Sequence, residues 1–167
     1  MRKEESTKTL EEALLNPDNR HNVQSDISVF LEEYKSSFLS QLTPFHTYFK
    51  ETLKENAKYG KKIAMKDIFI QADISMGYGY KLVSGDKTTR KRDVILRLLY
   101  AAEFTLEQTQ KALKIYGLPQ LYVKIPRDAV IMICFNERPG DIYDVNNILE
   151  GERLKALEKS GEISDED

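Results

Sequence analysis

One cysteine in 167 residues, Cys134, excludes an internal disulfide. Its place inside an apolar run points to burial as a small hydrophobe. No apolar stretch approaches the roughly 18 residues needed to cross a bilayer. Met1-Arg2-Lys3-Glu4-Glu5 leads into polar residues and not into an apolar signal core, so a cytoplasmic protein without a membrane partner is expected. Patterns for chemistry are scarce as well. His21 and His46 stand far apart with no grouping of cysteine or carboxylate that suggests a metal site. The paired acids Glu11-Glu12 and Glu32-Glu33 are adjacent, and adjacent residues project to different faces of a helix. Gly77-Tyr78-Gly79 lacks the preceding strand that a phosphate-cradling loop requires. Neither an enzyme nor a bound cofactor is expected.

What is present is an uneven distribution of charge. The net charge is only −2. Residues 1–42 carry 5 Lys/Arg against 8 Asp/Glu, residues 43–125 carry 15 against 8, and residues 126–167 carry 5 against 11. A basic middle between two acidic ends is the pattern of a chain whose centre alone faces a polyanion, the ends keeping it soluble.

Apolar spacing along the chain is helical almost throughout. Residues 1–25 read as a polar segment with one short helix, opened by Thr9 and Glu12 as a capping box and ended at Asn16-Pro17. Ile27, Phe30, Leu31, Tyr34 and Phe38 predict an amphipathic helix over 26–40. Thr43-Pro44 is a start signal for a helix to about Tyr59, where Gly60 supplies a left-handed stop. Further helices are predicted over 65–72, 76–84, 92–104 and 106–116, the last opened by a Thr105–Gln108 capping box. Ala129–Phe135 is apolar at all seven positions and by periodicity alone could be a strand. Pro126 at its start, and the lack of a partner strand, favour a buried helix. Pro139-Gly140 turns the chain, and Asp141 caps a last helix through Ile142, Val145, Ile148 and Leu149. The expectation is an all-α protein: a single helical domain over 26–150 and an acidic tail over 151–167.

The segment Met65 to Gly85 has the make-up of a helix-turn-helix. Ile68 and Ala72 are the inward residues of its first helix. Asp73 occupies the turn, where glycine is usual but aspartate tolerates a left-handed backbone. Ile74 plugs the core, Ser75 can cap the second helix, Leu82 anchors its far end and Gly85 terminates it. Met76, Tyr78, Tyr80 and Lys81 then face outward. Gly77 and Gly79 each cost roughly 1 kcal/mol relative to alanine inside a helix, and both can let the helix approach DNA or another helix closely.

This spacing resembles the helix-turn-helix of the XRE, or λ-repressor-like, family of bacterial regulators. Ile74-Ser75, Leu82 and Gly85 match without a gap. Arg92-Asp93, Leu106 to Gln110 and Arg127-Asp128-Ala129 resemble a Firmicutes-type branch of it. The resemblance covers residues 26–150. It implies a five-helix DNA-binding domain (44–59, 65–72, 76–84, 92–104, 106–116) with an extra N-terminal helix and two C-terminal helices. It also implies docking of 76–84 in the major groove, with Ser75, Met76, Tyr78, Tyr80 and Lys81 toward the bases. Lys87, Arg90, Lys91 and Arg92 would lie along the phosphates. The implied partner is double-stranded DNA. A homodimer formed through the first or the C-terminal helices would read half-sites about 34 Å apart. An alternative stays open, in which the same scaffold serves as a protein-interaction module that contacts a signalling enzyme or toxin.

Overall fold

The structure, a computed structural model, describes Lys8, residues 23–35 and residues 43–159. The capping box at Thr9 and Glu12, Phe38 and the end of the tail lie outside the described residues. Among the described residues there are eight α-helices and no strand. The chain divides into two compact units, 1–43 and 44–167. The boundary between them falls at Pro44.

In the first unit, α1 spans Val23–Glu33. It starts earlier and stops sooner than the expected 26–40, passing through a turn at Tyr34. Phe30 and Tyr34 hold ring contact at 4.8 Å, while Ile27, Val29 and Leu31 are exposed.

The second unit holds seven helices: α2 Phe45–Lys58, α3 Met65–Ala72, α4 Met76–Ser84, α5 Arg92–Ala101, α6 Leu106–Tyr116, α7 Pro126–Glu137 and α8 Ile142–Gly151. Local chemistry explains most of their ends. Thr105 Oγ1 accepts the Gln108 N–H while the Gln108 side chain accepts the Thr105 N–H, the reciprocal capping box expected of that sequence. Asp141 and Asp144 cap α8 in the same way. Pro126 opens α7, where its missing N–H costs nothing, so the apolar run 129–135 is helical. The start of α2 departs from expectation: Pro44 itself is the cap residue, and no side chain bonds to it there. Likewise α5 stops at Ala101 and not at 104, because Glu103 turns left-handed (φ 57°) and returns Phe104 to the core.

The core is organised around α5, whose residues from Val94 to Ala101 are all buried. It packs against α3, α6 and α8, with α2 lying across α4 and α6 and α7 joining α6 to α8. Phe49 stacks on Phe104 at 5.2 Å, closing the α2 side. An all-round buried helix is expected to be wholly apolar, yet α5 carries Arg97 at its centre, 3% exposed. Arg97 Nη1 donates to Ala72 O at the end of α3 (3.3 Å), and Nη2 donates to Leu157 O (2.7 Å).

That second bond shows why residues 152–159 do not behave as a tail. Leu157 is buried, and its N–H donates to Asn146 Oδ1 (2.8 Å). Arg127 donates to Lys155 O and Ala156 O, and the Glu158 N–H donates to Asp93 Oδ2. The segment is mostly polar, but Leu157 enters the core, Leu154 packs against it, and several of its backbone groups are bonded.

Candidate nucleic-acid interface

Helix α3 ends in a sharp reversal. Asp73 adopts the left-handed conformation (φ 54°, ψ 50°), and its N–H and that of Ile74 donate to Ile70 O and Phe69 O. Such pairings satisfy carbonyls that a helix end would otherwise strand. The reversal drives Ile74 into the core and sets α4 off from Ser75. Ser75 holds the cap position in an extended conformation, but its side chain makes no capping bond. Leu82 and Val83 bury the far end of α4, and Gly85 closes it at φ 86°. The turn is also tied from behind: Asp73 Oδ2 lies 2.6 Å from Lys159 Nζ and 3.9 Å from Arg97 Nη1. Burial pulls the Arg97 guanidinium below its ordinary pKa, and Asp73 and Asp93 oppose that pull.

The two glycines of α4 have different roles. A Cβ on Gly79 would meet the Phe69 ring of α3 at 2.6 Å, so this glycine lets the two helices touch. A Cβ on Gly77 would meet nothing within 4 Å. Gly77→Ala should therefore stabilise the fold by about 1 kcal/mol, the ordinary helix preference for alanine. Gly79→Ala should instead destabilise it by about 1–2 kcal/mol, overpacking outweighing that preference. Urea titration of the two variants checks the opposite signs.

The outward residues of α4 are unequal as well. Tyr80 and Lys81 are exposed, whereas Met76 and Tyr78 are half-buried against the core. Tyr80 leans edge-on to Phe69 at 5.0 Å, and the Lys87 ammonium sits 5.4 Å from the centre of the Tyr78 ring. Serine, tyrosine and lysine here can meet phosphate or stack. Arginine, asparagine and glutamine, which read bases in bidentate fashion, are absent from 76–84.

After Gly85 the loop is anchored by backbone. The Lys87 N–H donates to Lys81 O, and the Thr89 N–H donates to the Tyr116 hydroxyl (2.7 Å). Burial raises the Tyr116 pKa, partly offset by that Thr89 bond. Lys87, Arg90 and Lys91 are exposed and form no ion pair within 4 Å among the described residues, although Lys91 lies within electrostatic reach of Glu158. Asp86, the acid of this loop, is engaged by the Ser84 hydroxyl (2.7 Å).

Arg92 is different. Its guanidinium turns inward onto Asp128 of α7, Nη2 to Oδ1 at 2.6 Å and Nη1 to Oδ2 at 3.0 Å. It is reciprocated by Arg127, which holds Asp93 at 2.8 and 3.2 Å. The Arg-Asp pairs at the starts of α5 and α7 thus clasp each other, and Arg92 is removed from the cationic face on which the sequence placed it. Its position at the first residue of an apolar helix, next to Arg90 and Lys91, made it look like its neighbours; its partner lies on a helix far along the chain.

Other cations were missed in the sequence. Lys61, Lys62 and Lys66 are exposed on the approach to α3 and in its first turn. The run Gly60-Lys61-Lys62 before the helix-turn-helix was the signal for them. No group of three or more His, Cys, Asp or Glu side chains among the described residues is placed to hold a metal, and no helix there is long and apolar enough to cross a membrane.

Comparison with protein-family models, with curated proteins and with solved structures finds no match.

Proposed function

We propose that the protein is a cytoplasmic, sequence-specific DNA-binding regulator of the XRE, λ-repressor-like type, with α2 to α6 as its five-helix domain and α4 as the recognition helix. The observation that carries this reading is the junction itself. A left-handed Asp73, a buried Ile74, a Gly85 stop and three exposed cations follow one another in that order. In this reading α4 enters the major groove, presenting Ser75, Tyr80 and Lys81, with Met76 and Tyr78 supporting from beneath. Lys87, Arg90 and Lys91 sit on phosphates, where they add affinity without sequence information.

The test is duplex binding by the full chain, first to the DNA upstream of its own gene, titrated with salt. Replacing Lys87, Arg90 and Lys91 together with alanine should weaken all duplexes about a hundredfold near 0.1 M salt and flatten the log–log salt slope by roughly 2.7. Arg92 is left in place, because its loss would act on folding. Equal affinity of parent and triple variant at moderate salt would show that the docking face is misplaced.

A second reading is favoured by one observation: the exposed part of α4 offers tyrosine and a bare Gly77, but no side chain suited to bidentate base reading. Under it the scaffold is a protein-interaction module. Folded protein that binds no duplex at low salt would select this second reading.

A further inference from the structure

Between the start of α2, the end of α4, the 85–91 loop and the end of α6 lies a cleft of about 490 Å³. Its volume is in the range of small-molecule sites, roughly 300–1,000 Å³. Lys87, Arg90 and His46 are among its lining residues, the Lys87 ammonium resting over the neighbouring Tyr78 ring, and Leu82, Ile115 and Leu118 give it an apolar floor. No carboxylate lines it. Gly85 permits the close approach: a Cβ there would meet His46 Nδ1 at 2.7 Å, and the backbone is left-handed. The Thr89–Tyr116 bond fixes the loop across the cleft.

We propose that this cleft binds an organic phosphate, its phosphoryl group on Lys87 and Arg90 and its carbon framework on the apolar floor. Two cations without acidic partners meet the charge of such a group, and arginine adds fork-shaped donation to phosphate oxygens. An inorganic anion would leave the floor uncovered, and a neutral apolar molecule would leave the cations unpaired. The same Lys87 and Arg90 are assigned above to DNA phosphates, so the ligand would compete with duplex and act as an antagonist. This consequence rests on the DNA reading, whereas ligand binding does not.

The experiment is calorimetric titration of the full chain, without DNA, using phenyl phosphate, adenosine monophosphate, glucose 6-phosphate and inorganic phosphate. At least one of the organic phosphates should bind saturably and about tenfold or more tighter than inorganic phosphate. Replacing Lys87 and Arg90 together with alanine should abolish that binding, while the charge-matched loss of Lys50 and Lys124 should leave it unchanged. Ile115→Phe, which fills the floor without altering charge, should weaken the organic ligand and not the inorganic one. Should that variant fail to fold, the exposed Lys87 and Arg90 pair still decides. No organic phosphate surpassing inorganic phosphate, or equal weakening by both double variants, overturns the site. A duplex competition then separates the two ideas. Ligand binding with no duplex binding keeps the cleft and removes the DNA reading, and duplex binding with no ligand does the reverse.

Discussion

Arg92→Ala is expected to destabilise the helical body by about 3–5 kcal/mol, while Lys91→Ala, one residue earlier, should change it by less than about 0.5 kcal/mol. The contrast follows from where each cation points. The Lys91 side chain lies in solvent. The Arg92 guanidinium faces an Asp128 carboxylate whose side chain is 1% exposed. Removing the guanidinium leaves that carboxylate buried, with the Tyr122 N–H (3.0 Å) as its remaining donor among the described residues. Removing Asp128 instead leaves a guanidinium that is 21% exposed and can turn toward water. The double variant Arg92→Ala/Asp128→Ala should therefore be more stable than Arg92→Ala alone, since it strands no charge. Denaturant titrations of the parent and these variants measure this. Equal stability of the Arg92 and Lys91 variants would mean that the clasp contributes nothing.

The clasp also marks where the sequence stops being readable. Features that depend on neighbours along the chain were legible. The Thr105–Gln108 box needs residues three apart, the left-handed turn needs only an aspartate able to adopt it, and Pro126 settles α7 by where its ring can sit. Features that depend on how helices are brought together were not. Asp128 stands 36 residues from Arg92, and nothing local distinguishes Arg92 from Arg90. The role of residues 152–159 was hidden for another reason: beside Leu157, much of their contribution is carbonyl oxygens and N–H groups, which every residue has and composition does not record. Gly77 and Gly79 show both cases side by side. The sequence offered close approach to a helix or to DNA for either, and the Phe69 ring assigns the helix contact to Gly79.

For the candidate site the same division holds. Ile68, Ala72, Ile74 and Leu82 are buried as their spacing demanded, because burial on a helix follows from periodicity. The outward set is only partly outward, since Met76 and Tyr78 rest against the core. The cleft beside Gly85 was invisible as well. It is assembled from the start of α2, the end of α4, the loop and the end of α6, four parts of the chain that no single motif joins.

Arg97→Met should cost about 3 kcal/mol and release the C-terminal segment first. Methionine keeps much of the buried stem but removes two charge-assisted donors, leaving Ala72 O and Leu157 O without their Arg97 bonds. Arg97 Nε has no hydrogen-bond partner among the described residues, so part of the guanidinium's burial already works against stability. This is why the expected loss falls short of the sum of two strong bonds. The carbonyls decide the sign: unlike a carboxylate partner, they cannot be neutralised when the cation is gone. Hydrogen exchange distinguishes this from a uniform loss of stability. The N–H groups of Leu157 and Glu158, bonded to Asn146 and Asp93, should lose protection before those of α5. Uniform loss would show that Arg97 supports the core in general. Early release of 152–159 would show that this buried arginine holds the segment which, through Lys159 and Asp73, braces the helix-turn-helix from behind.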